Sequence, residues 1–128
     1  MVVLGDSPCG CDVELDRAVP ERALSRVSAA EERRSFSALE IWTLKESAVK
    51  LVGEVPGGDV YRFMANARFE RVGGKILCQS KRSAEAMTAQ CGDFQVAMMF
   101  EGEGSLPGLR EIGERALFGY EGYVDVER

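Results

Sequence analysis

A chain of 128 residues, 45% of them hydrophobic, can bury one compact core but is too short for two ordinary domains, so residues 1–128 are expected to form a single domain. A formal charge of −5 without a lysine or arginine stripe argues against nucleic-acid and anionic-membrane binding, and no apolar run approaches the roughly 20 residues that a membrane span needs. The complete absence of histidine removes Ser-His-Asp and Cys-His catalysis and every histidine-containing metal site, which leaves carboxylates, lysine and cysteine as proton acceptors and Asp or Glu oxygens as ligands for a hard cation.

The opening residues MVVLGDSPCG lack the basic flank and long apolar centre of a secretory signal, so a cytoplasmic protein with its four cysteines reduced is expected. Val2 to Leu4 reads as a short strand, Gly5-Asp6-Ser7-Pro8 as a turn and Gly10 to Leu15 as a second strand, together an opening hairpin. Pro20 starts a helix that runs to about Val27, and Ser28 is placed to cap a second helix, AAEERR, with Glu31 completing a capping box. A longer helix is predicted from about Ala38 to Gly53, stopped by Val55-Pro56-Gly57-Gly58 and followed by a loop. ARFERV and KILCQS flank Gly73-Gly74 as a hairpin, and Phe94 to Phe100 reads as a further strand. Ser83 to Cys91 is open between helix and loop, and Leu109 to Leu117 suits a short amphipathic helix. The order strands, helices, strands predicts an α+β domain with helices packed on one face of a mostly antiparallel sheet.

Within GCDVEL, alternation puts Asp12 and Glu14 on one strand face and Cys11, Val13 and Leu15 on the other. Two carboxylates so close repel unless a cation lies between them, which makes them a candidate metal pair, against the plain alternative of a solvated edge-strand face. In ALEIWTLKESAVK, helical periodicity gathers Ile41, Leu44, Ala48, Leu51 and Val52 into a core stripe. Trp42 falls at the stripe's boundary, Glu46 and Lys50 project away from it, and Lys45 leans toward its apolar edge. The spacing of Cys9, Cys11, Cys78 and Cys91 matches no zinc ribbon or finger, and the Arg33-Arg34 and Lys81-Arg82 pairs read as solvated surface.

Taken together, Gly10-x-Asp12-x-Glu14 and Trp42-x-x-Lys45-Glu46-Ser47-x-x-Lys50 resemble the paired motifs of the 4′-phosphopantetheinyl transferases, and specifically the second half of the surfactin-synthetase-activating type. Ser28-Ala29-Ala30-Glu31 is similar to the acidic residue that lies between the two motifs in that subfamily. The resemblance implies transfer of the phosphopantetheine arm of coenzyme A to a serine of an acyl or peptidyl carrier protein. It further implies Asp12, Glu14 and Glu46 as Mg²⁺ ligands, Lys45 and Lys50 as coenzyme-binding cations, and Glu46 and Lys50 as the catalytic residues, with either Glu46 or a metal-bound water taking the serine proton. The Ser-His-Ser stretch that precedes the Asp motif in these enzymes has no counterpart, and Gly53-Glu54-Val55-Pro56-Gly57 stands where a Gly-x-Gly often follows the second lysine. A homo-oligomer that supplies the second wall of the cleft is therefore expected, the alternative being a half-length relative that has lost transfer and serves as a binding module for another chain.

Overall fold

The computed structural model describes residues 8–79 and 84–101, together with the backbone of 110–112 and 125–127. The first strand, β1 (Cys9–Leu15), is followed by helices α1 (Glu21–Val27), α2 (Ala30–Ser35) and α3 (Ala38–Val52), a one-turn 3₁₀ segment at Pro56–Gly58 and helix α4 (Val60–Asn66). Strands β2 (Arg68–Val72), β3 (Lys75–Gln79), β4 (Ala84–Cys91) and β5 (Phe94–Glu101) complete a sheet of order β1-β5-β4-β3-β2 in which every neighbouring pair is antiparallel. Two short strands, β6 (Arg110–Ile112) and β7 (Asp125–Glu127), form a separate antiparallel pair. The α+β class and the antiparallel sheet agree with the sequence pattern. The expected strand at Val2 to Leu4 and its turn lie outside the described residues.

Register explains the core. Gly10, Met99, Ala86 and Ile76 lie on one rung, and Asp12, Ala97 and Thr88 lie on the next, so these residues share a sheet face. Met99, Ala97, Ala86, Ile76, Ala84, Cys78 and Phe69 from that face join Ile41, Leu44 and Ala48 of α3 in one buried cluster. Removing the larger of these, Met99, Ile76, Phe69, Ile41 and Leu44, from water stabilises the fold by about 1.5–3 kcal/mol each. Helix α3 lies chiefly across β1 and β5.

Local chemistry sets the boundaries. The Ser37 hydroxyl accepts from the Glu40 N–H (3.2 Å) while Glu40 Oε1 accepts from the Ser37 N–H (3.1 Å), a reciprocal cap at the start of α3. Gly53 ends the helix at φ +78°, where its N–H reaches the Val49 carbonyl. At the β2–β3 turn both Gly73 (φ +56°) and Gly74 (φ +82°) are left-handed, the geometry that a two-residue hairpin requires and that glycine alone adopts at no steric cost.

Several expectations are corrected. The cap of α2 is Ala29, not Ser28, and Glu32 rather than Glu31 folds back to accept its N–H at 2.9 Å; the Ser28 hydroxyl instead donates to the Leu24 carbonyl at the end of α1. The stretch after Pro56-Gly57-Gly58 is not all loop. Asp59 accepts from the Arg62 N–H and starts α4, which buries Met64. Residues 84–91, rich in helix-forming Ala, Glu and Met, are a strand because pairing on both sides outweighs their weak intrinsic preference. Arg110–Ile112 is a strand, not part of a helix from Leu109 to Leu117, and residues 113–117 lie outside the described residues. Val52, the last residue of α3, is exposed rather than part of the buried stripe.

Candidate functional site

The first motif works through its glycine. A Cβ on Gly10 would lie 2.1 Å from the Ser47 carbonyl oxygen and 2.6 Å from the Leu51 amide nitrogen, so β1 and α3 touch backbone to backbone at this point, and any side chain there would force them apart. With the strand held so close, its even-numbered residues face the helix. Asp12, two residues on, is buried, and its Oδ1 accepts a hydrogen bond from Lys50 Nζ at 2.7 Å. The other oxygen, Oδ2, is buried without a partner. Glu14, on the same face, is partly exposed and pairs with Arg17 at 3.5 Å.

Glu46, one helical turn before Lys50 on α3, is half-buried. Burial foremost, then the charge of Asp12 and more weakly that of Glu14, push its carboxyl above the ordinary value, while Lys50 pulls it part of the way back. The hydrogen bond that Lys50 donates to Asp12 raises its ammonium above the ordinary value against the opposing effect of burial. Asp12, Glu14, Glu46 and Lys50 are thus electrostatic neighbours in the seam between β1 and α3, with three carboxylates against one half-exposed ammonium and the Arg17 guanidinium at the rim. Among the described residues no three Cys, His, Asp or Glu side chains converge tightly enough to hold a metal ion by themselves. The solvated-face alternative does not describe Asp12, whose side chain is 7% exposed.

Lys45 goes elsewhere. It is completely buried, its Nζ 2.7 Å from Glu32 Oε2 and 2.6 Å from the Ala67 carbonyl oxygen. Glu32 Oε1 accepts from the Ala29 N–H and Oε2 from the Phe69 N–H, so one carboxylate ties the start of α2 to α3 and β2. Burial holds Lys45 below its ordinary value, opposed by the bond and charge of Glu32. In this conformation Lys45 presents nothing to a solvent-borne ligand, unlike Lys50. Glu31 stays at the surface opposite Arg34 at 3.8 Å.

Trp42 is half-buried at the flank of α3, less enclosed than a core anchor. Sequence reasoning missed Glu32, although the buried lysine's need for a counter-charge was a signal that an acid had to approach from another element. The four cysteines do not gather: register puts Cys78 on the helix-covered face and Cys9, Cys11 and Cys91 on the opposite one. Comparisons with protein-family models, with curated proteins and with solved structures returned no match.

Proposed function

We propose that the chain is a Mg²⁺-dependent 4′-phosphopantetheinyl transferase that modifies a serine of an acyl or peptidyl carrier protein in the cytoplasm. The observation that supports this reading most is the seam itself: Gly10 lets β1 lie against α3 so that both halves of the motif pair, Asp12 with Glu14 and Glu46 with Lys50, come together. The orphaned, buried Asp12 Oδ2 and the upward pressure on Glu46 are what a site short of positive charge shows, and they fit a hard cation. Magnesium is held by a few carboxylates and fills the rest of its shell with water and phosphate oxygens, so a pre-formed cage is not required. Asp12, Glu14 and Glu46 would hold it. Bound there, it would neutralise the coenzyme's pyrophosphate.

Each side chain has a definite task in that reaction. The carrier serine oxygen bonds to the β-phosphorus, the bond from that phosphorus to the bridging oxygen breaks, and adenosine 3′,5′-bisphosphate departs. Glu46, raised in proton affinity, is suited to receive the serine proton, with water as the alternative acceptor. Lys50, half-exposed and cationic, faces the charge that develops on the leaving phosphate, while Asp12 fixes its direction. The seam would form one wall of the coenzyme site, and a second copy of the chain would supply the other.

A second reading, a relative that has kept the fold but lost transfer and binds another chain, is favoured by one observation: Lys45, expected at the coenzyme, is locked to Glu32. Incubation with coenzyme A, Mg²⁺ and an apo carrier protein, followed by intact mass measurement, separates the two. The expected result is a carrier heavier by one phosphopantetheine, lost in Asp12→Ala with circular dichroism unchanged. An unmodified carrier together with no Mg²⁺-dependent heat on titration with coenzyme A would leave the second reading.

A further inference from the structure

The sheet has a second face, opposite α3, and its chemistry is unlike that of the seam. On it, Cys9 and Cys11 stand two residues apart on β1, and Cys11 lies directly opposite Met98 of β5, which lies directly opposite Met87 of β4. Two thiols and two thioethers therefore occupy adjoining places on one face, and the Glu85 carboxylate on the Cys9 rung is paired with Lys75 at 3.5 Å. Same-face neighbours along a strand are about 6.8 Å apart at Cβ, and cross-strand partners about 4.5–5.5 Å. Metal–thiolate bonds are about 2.3 Å long, so two cysteines leaning together from that spacing can grip one ion between their sulfurs. Cys9 and Cys11 are only half-buried and neither is in a disulfide, while Met98 beneath is 4% exposed.

We propose that Cys9, Cys11 and Met98, with Met87 behind them, form a binding site for a soft monovalent cation of the Cu(I) type. Thiolate and thioether ligands select Cu(I), and a low coordination number suits the two thiols and one thioether that adjoining strands present here. Zn²⁺ prefers four nitrogen, thiolate or carboxylate donors, and Cys9 and Cys11 together offer two thiolates. On binding, each thiol gives up its proton to solvent as its sulfur bonds the metal, and the metal keeps its oxidation state. Chelation by Cys9 and Cys11 orients two ligands at once because the pleat already aligns them. Cys91 shares the face but is four residues along β4 from Met87, and Cys78 is on the other face, so both are controls built into the chain. By register the site is on the sheet face opposite Asp12, with Cys11 near enough to Lys50 at the sheet edge to act on its charge, and it does not depend on the transferase reading.

Anaerobic titration of the full chain with acetonitrile-stabilised Cu(I), competed by a coloured Cu(I) chelator, tests it. One ion per chain is expected, with an ultraviolet thiolate-to-metal band and an X-ray absorption spectrum showing a sulfur-only shell, a readout that needs no variant. Cys11→Ser should weaken binding by more than about tenfold, the least that disturbing a ligand's surroundings usually costs. Met98→Leu should weaken it too, and Cys91→Ser should leave it unchanged. Failure of the wild-type chain to compete with the chelator, a shell containing oxygen or nitrogen, or retention of binding in the Cys9→Ser/Cys11→Ser double variant would each overturn the assignment.

Discussion

At the scale of single residues, the charges in the β1–α3 seam lead to a pH-dependent prediction. Glu46 has a folded-state pKa raised above its unfolded value, so its ionised form opposes folding: the penalty is absent below the unfolded value, grows as pH rises from there to the folded value and is full above it. Glu46→Gln should therefore raise the melting temperature of the metal-free protein at pH 7 and give no gain near pH 4, measured as thermal melts across pH. Lys45 behaves oppositely to a surface lysine. Taking away one member of a buried, hydrogen-bonded pair leaves the other charge stranded, at a cost of about 3–5 kcal/mol. Lys45→Met should lose that much in urea unfolding, more than Lys50→Met, whose ammonium is half in water. A loss no larger for Lys45 than for Lys50 would mean that Glu32 is satisfied by its backbone donors alone.

At the scale of elements, the decisive contact is β1 against α3. Gly10→Ala introduces a methyl where the Ser47 carbonyl and the Leu51 amide already stand, both of them backbone atoms that cannot rotate away. The strand must shift outward, which should cost about 1–3 kcal/mol as overpacking and lengthen the Asp12–Lys50 hydrogen bond. The expected outcome is a lower urea midpoint together with a Lys50 ammonium that titrates closer to its ordinary value by NMR. An unchanged titration would show that β1 yields without carrying Asp12 away. The capping pair Ser37 and Glu40 belongs to the same argument, since it fixes where α3 begins and hence which turn of the helix meets Gly10.

At the scale of the whole molecule, the sheet carries two distinct functional candidates on opposite faces, acid and ammonium on the helix side and sulfur on the other. Ligand linkage distinguishes occupation of the first. A ligand that binds only the folded state stabilises it by about 2.7 kcal/mol at a hundredfold excess over its Kd. Coenzyme A with Mg²⁺ should therefore raise the melting temperature more than either alone, because the carboxylates need the cation before they tolerate the pyrophosphate. Equal shifts with and without Mg²⁺ would place the coenzyme away from Asp12, Glu14 and Glu46. Sedimentation equilibrium with the same additions should show self-association if a second copy closes the cleft. None of the described helices is long and apolar enough to cross a membrane.

The sequence by itself determined the elements whose signals are local. Gly73-Gly74 announces its hairpin because only glycine takes two left-handed residues in a row without strain, and the α3 stripe announces its helix because Ile41, Leu44 and Ala48 recur at its period. The alternation of GCDVEL likewise assigned Asp12 and Glu14 to one face before any partner was known. Tertiary structure alone decided what lies across distance. Residues 84–91 became a strand through pairing with β3 and β5, which no propensity of Ala, Glu and Met encodes. Lys45 and Lys50 look equivalent in a string of letters, yet one is sealed beside Glu32 and the other reaches Asp12, because they leave the helix about 140° apart and meet different neighbours. Gly10, legible only as a motif letter, turned out to be the point where two backbones meet, since a missing side chain has meaning only once something occupies its place.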